Sequence, residues 1–206
     1  MKKKYIFIII LVFVLAFVGL FVFVMNNGND KDREYIDPFY FFEVTEYGDI
    51  SFVEDEKVGL NFIIPNGWKK TYDFLAQFSI VTENFVPTDN TLNSSSLPKN
   101  GCWIGISVDH EENIEDGNSL YDSTKHFIDN PEEIINEGSS YRDIINISEI
   151  KSLRESLIIE NKGKAISIYT PLDNKIYLFE TYLFGEDKEF CETEFNNFLN
   201  TISIKK

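Results

Sequence analysis

His110 has the richest chemical surroundings in this sequence. It stands in Asp109-His110-Glu111-Glu112, with Glu115 and Asp116 close behind. Hard cations prefer carboxylate oxygens and transition metals favour imidazole. Asp109, His110, Glu112 and Glu115 are therefore the candidate ligands of a divalent-cation site. Their spacing matches neither the D-x-D-x-D-G order of an EF-hand nor a zinc motif. The simpler reading is an acidic, solvated loop between a strand and a helix. His126 falls on the polar side of a helical stretch beside Asp122 and Asp129, and reads as an exposed side chain.

Other catalytic patterns are missing from the sequence. No serine sits in a G-x-S-x-G elbow, and there is neither a P-loop nor a G-x-G-x-x-G turn. Acidic residues are plentiful, but a glycosidase pair needs a defined separation in space that sequence does not give. The expectation is a protein that is not an enzyme and carries no resident cofactor.

Cys102 and Cys191 are the two cysteines. Cys102 opens an alternating run with Ile104, Ile106 and Val108 on one face. Cys191 shares a helical stripe with Phe195, Phe198, Leu199 and Ile202. Both thiols are expected in the core, either as small packed hydrophobes or joined in a disulfide. Residues 84–100 form a long polar interruption. Such loops are functional or disordered, so Asn90 and Ser95 are candidate partner-binding positions, with a plain spacer as the alternative.

These residues need elements to hold them. The first strand is predicted in Phe39-Tyr40-Phe41-Phe42-Glu43-Val44, and a second from Ile50 to Val53. From Val58 to Ile64, apolar residues at every second position predict a half-buried strand, ended by the Pro65-Asn66-Gly67 turn. Strands are also expected at Phe78 to Thr82 and Cys102 to Val108. Ser119 to Asp129 predicts a helix capped by Ser119, with a poorer helical stretch after Pro131. Leu157 to Glu160, Ala165 to Thr170 and Lys175 to Phe184 are joined by short turns, so they pair antiparallel. Tyr177, Phe179 and Leu183 share one face of the last strand, with Ile176, Leu178 and Tyr182 on the other. A strand apolar on both faces belongs at the centre of a covered sheet. A closing helix is expected from Asp187 to Asn200.

The amino-terminal region sets the location. Lys2, Lys3 and Lys4 precede an uncharged apolar run of 21 residues, Tyr5 to Met25. As a helix it reaches roughly 30 Å, the thickness of a bilayer's hydrocarbon core. It exceeds the core of a cleaved signal, and no A-x-A-like site follows. The lysines place the amino terminus in the cytoplasm. The expected organisation is a signal-anchor transmembrane helix at 1–26, a tether at 27–38 and an extracytoplasmic domain at 39–206. Removing the three lysines from 19 basic residues leaves 16 against 34 acidic, a net charge of −18 beyond the anchor. That charge argues against nucleic acid, which needs a basic footprint.

Gly59-Leu60-Asn61-Phe62-Ile63-Ile64-Pro65-Asn66-Gly67-Trp68 resembles the F-x-I-P-x-G-W opening of PsbP/Mog1-like domains, and the later element order is similar from Val58 to Ile204. The resemblance implies an α+β fold: a central antiparallel sheet flanked by helices, an α/β/α sandwich. It also implies a domain that binds proteins rather than catalyses. Members serve as photosystem accessory subunits, a nuclear-transport factor partner and exported bacterial lipoproteins. This chain departs from the lipoproteins in having no lipidation cysteine, so only the fold carries over. The functional expectation is a single-pass membrane protein. The bilayer holds residues 5–25, and the non-catalytic outer domain contacts an envelope protein. A small-ligand or divalent-cation receptor is the alternative, and a cell-envelope hydrolase a lower one.

Overall fold

The computed structural model describes residues 42–71, 76–87, 98–110, 119–136, 138–159 and 163–205. The chain divides into two compact units, residues 1–35 and 36–206, and everything described belongs to the second. The apolar run 5–25 and the tether lie outside the described residues. No helix among the described residues is long and apolar enough to cross a membrane.

Thirteen strands and two α-helices are described. The strands are β1 (Thr45–Tyr47), β2 (Ile50–Asp55), β3 (Leu60–Ile64), β4 (Trp68–Thr71), β5 (Phe78–Thr82), β6 (Val86–Pro87) and β7 (Pro98–Asn100). They continue with β8 (Trp103–His110), β9 (Ser140–Ile147), β10 (Ile150–Ile159), β11 (Gly163–Leu172), β12 (Lys175–Phe184) and β13 (Ser203–Ile204). The helices are α1 (Leu120–Asp129) and α2 (Lys188–Leu199). A seven-stranded sheet has the order β4-β5-β8-β12-β11-β10-β9, and a four-stranded sheet the order β1-β2-β3-β13. Every pairing is antiparallel. The fold class is α+β, as expected.

β12 is the middle strand of the large sheet, which is why its sequence is apolar on both faces. Its front residues, Tyr177, Phe179 and Leu183, join Ile104, Ile106 and Val108 of β8 in the main core. That core is closed by the inward side of the small sheet (Val53, Leu60, Phe62, Ile64) and by Cys191, Phe195 and Phe198 of α2. Phe62 packs edge-on against Phe42, Phe78 and Phe198, with ring centroids 5.5–6.5 Å apart. Each buried ring contributes about 1.5–3 kcal/mol. The back of the large sheet carries α1, whose Phe127 ring lies under the Arg142 guanidinium of β9. The Ser119 hydroxyl caps α1 by accepting from Asp122 N–H.

Three local expectations change. Phe42 to Val44 are not strand; the first strand begins at Thr45, because Phe42 turns inward to fill the core. After Pro131 only a short 3-10 turn forms, Pro131–Glu133. The meander also gains a strand and a longer hairpin, β9 with β10, whose turn residues Ser148 and Glu149 have φ of 48° and 67°. Both central residues at positive φ make the tight turn whose twist suits a hairpin.

Candidate functional site

Cys102 and Cys191 are disulfide-bonded, with Cα atoms 5.2 Å apart and a sequence separation of 89. The bond ties the start of β8 to the first half of α2 inside the core. Beside it, Asp187, the residue before α2, turns its carboxylate away from the helix and holds the neighbouring loop. Its Oδ2 accepts from Gly101 N–H at 2.8 Å and from Asn84 Nδ2 at 3.1 Å. The interruption at 84–100 is therefore anchored at its base. It is also shorter than expected, because β6 and β7 pair at its two ends. Asn90 and Ser95 lie outside the described residues.

Of the acidic candidates, only Asp109 has its side chain among the described residues. Asp109 and His110 end β8. The Asp109 side chain is exposed. Nearby protein still raises its carboxyl by desolvation, an effect its exposure keeps small. The His110 side chain, Glu112 and Glu115 lie outside the described residues. No cluster of three His, Cys, Asp or Glu side chains fit for a metal exists among the described residues. His126 is exposed as expected and pairs through Nε2 with Glu133 at 2.9 Å.

Two arrangements were not anticipated. The first is a polar row across the back of the large sheet. Arg142, Glu155, Ser167, Glu180, Gly105 and Ser79 are successive cross-strand neighbours on β9, β10, β11, β12, β8 and β5. Arg142 binds Glu155 at 2.6 Å, and Ser167 Oγ donates to Glu180 at 3.0 Å. Burial, followed by the charge of Glu155, pushes the Tyr169 phenol up. The Trp103 indole covers Gly105 where a side chain would sit, and stacks on Tyr182 with centroids 5.1 Å apart. Chemically the row is two local polar pairs, Arg142 with Glu155 and Ser167 with Glu180, and it ends at Ser79, whose buried hydroxyl meets no partner. The sequence signal was Glu180, a charge inside an otherwise apolar stripe from Ile176 to Phe184.

The second is the outward side of the small sheet. Tyr47, Ile50 and Ile63 are 81%, 53% and 46% exposed. Tyr47 pairs with Ile50 and Phe52 with Ile63, so the four form one apolar patch. Alternation in β2 and β3 produces it, since Val53, Phe62 and Ile64 point inward and their neighbours must point out. A shallow groove of about 280 Å³ runs over Ile50, Phe52, Asn61 and Ile63. Its wall is Thr201, whose hydroxyl accepts from Ile63 N–H at 3.2 Å just before β13 begins. Asn61 Oδ1 is buried and meets no donor. The sequence signal was Ile63, the one apolar residue on the polar side of its strand.

No family model matches the chain, and no curated protein matches it. Among solved structures, the cyanobacterial PsbP (CyanoP) of Synechocystis is 13% identical, with 82% of this chain and 100% of that one covered, at a TM-score of 0.43. LpqN of Mycobacterium tuberculosis, involved in cell envelope biogenesis, is 11% identical, with 80% and 90% covered, at 0.38. A Bacteroides thetaiotaomicron protein is 11% identical, with 72% and 46% covered, at 0.35. These likenesses are distant, and the fold stands on its own strand order and layering.

Proposed function

We propose that this protein is a non-catalytic binding module of the cell envelope. Residues 5–25 hold it in the membrane with the amino terminus inside, and the folded domain acts outside through protein–protein contact. The observation that carries the reading is the patch of Tyr47, Ile50, Phe52 and Ile63, since a contiguous exposed apolar surface marks an interaction site. The buried Cys102–Cys191 bond supports the location, because disulfides persist in oxidising compartments.

The test is photo-crosslinking in intact membranes, with the reactive group at Phe52 and a control at Tyr141 on the distant β9. A discrete adduct from Phe52, absent from Tyr141 and removed by Ile63→Asp, supports the reading. No adduct, or the same adducts from both positions, would overturn it.

A further inference from the structure

We infer that the outward side of the small sheet takes a basic, amphipathic, extended segment of a partner protein. The inference rests on the binding-module reading and specifies the partner's chemistry. The apolar patch is bounded by acid. Glu54 shares its side of the sheet, opposite Asn61, and Glu43, Asp49 and Glu56 are exposed just before β1, between β1 and β2, and after β2. The described bases near it are Lys57 and Lys205, and Lys205 is engaged with Glu54 at 3.2 Å. A ligand lying in the groove therefore meets apolar contact at its centre and negative potential at its edges. Complementary charge steers such an encounter, while like charge is rejected.

The spacing favours an extended chain. Ile50 and Phe52 are two residues apart on one strand, roughly 7 Å. A segment with apolar residues at alternate positions matches that repeat. Lysine or arginine residues between them, or flanking them, reach the acidic rim. The acidic rim opposes an anionic bilayer as occupant.

The experiment uses the full chain in nanodiscs of zwitterionic lipid. The probes are fluorescently labelled heptapeptides alternating Lys with Leu, or Glu with Leu, read by anisotropy against empty nanodiscs. The Lys–Leu peptide is expected to bind, more weakly as salt rises, while the Glu–Leu peptide does not. Glu54→Lys with Asp49→Lys is expected to weaken binding about tenfold, and Ile63→Ser by a similar factor, each worth about 1.4 kcal/mol. Equal binding of both peptides, or no loss in either variant, would overturn the inference. So would protection of a label at Ile63→Cys by phosphatidylglycerol vesicles alone, which would assign the face to a bilayer. If peptide selectivity fails while the Phe52 crosslink persists, the partner's chemistry is wrong and the binding-module reading stands. If the crosslink is also missing, both fall.

Discussion

The phenolic hydroxyl of Tyr177 donates to the carbonyl of Val58 at 2.6 Å, across 119 residues of sequence. It joins the middle strand of the large sheet to the turn that opens β3, so the two sheets are fastened at the centre of their interface. Burial, with the charge of Asp173 second, pushes the phenol up to about 12 from the ordinary 10.0.

Tyr177→Phe is expected to cost about 1–3 kcal/mol at pH 8, because it leaves the Val58 carbonyl buried without a donor. The pH dependence follows from the raised folded pKa. The folded state holds this proton more tightly than the unfolded state does. The stabilisation is whole below pH 10 and is lost as pH rises from 10 to about 12. Urea unfolding of both proteins at pH 8, 10 and 11.5 checks it: the gap between them should narrow at alkaline pH. A constant gap would show that Tyr177 does not titrate with unfolding.

Replacing both Cys102 and Cys191 with Ala is expected to destabilise the domain by about 2–5 kcal/mol, as a bond closing a loop of this length does. Both residues are at most 1% exposed, so dithiothreitol should reduce the bond slowly in buffer and quickly in urea. Mass-shift counting of alkylated thiols over time reads this directly. Fast reduction in buffer would mean that the core opens locally.

Two glycines separate conformational strain from steric strain. Gly67, at φ +81°, has nothing within 4 Å of an added Cβ, whereas at Gly101, φ +74°, that atom would lie 2.6 Å from Phe85 Cα and Thr82 Oγ1. Gly67→Ala should cost about 1–2 kcal/mol from the left-handed backbone alone. Gly101→Ala adds overpacking, for about 2–5 kcal/mol. Equal melting temperatures for the two variants would contradict the packing at the loop base.

Asn136 guards the open edge of the large sheet. Its Oδ1 accepts from Arg142 N–H at 2.6 Å and its Nδ2 donates to Arg142 C=O at 3.3 Å, occupying groups on β9 that another strand would use. Asn136→Ala is expected to leave monomer stability within about 1 kcal/mol and to speed aggregation on heating, because an uncovered edge recruits strands. Light scattering at several protein concentrations measures this. An unchanged rate would remove the guarding role.

The parts of the fold legible in the sequence were those with a strict period or a glycine or proline at the turn. Lys175 to Phe184 was readable because both its faces are apolar, and Ser119 marked the start of α1 through its capping chemistry. β9 and the first half of β10 were hidden for two reasons. Their turn uses Ser148 and Glu149, neither of which signals positive φ. Their faces also mix Arg142, Asp143, Arg154 and Glu155, which neutralise one another across the ladder. The candidate site was hidden for a different reason. Cross-strand rows and outward patches are made by pairing residues far apart in sequence, and register between β2 and β3 cannot be read from either strand alone.

The disulfide has a mechanical consequence. In the proposed arrangement, a pull between the anchor and a partner held on the small sheet loads only the chain ahead of that sheet. If the load travels further, the segment between the two cysteines, 89 positions apart, is bypassed. At 3.3–3.6 Å per residue this withholds roughly 300 Å of contour from extension. Under tension the domain would lengthen little, acting as a short link rather than a long spring.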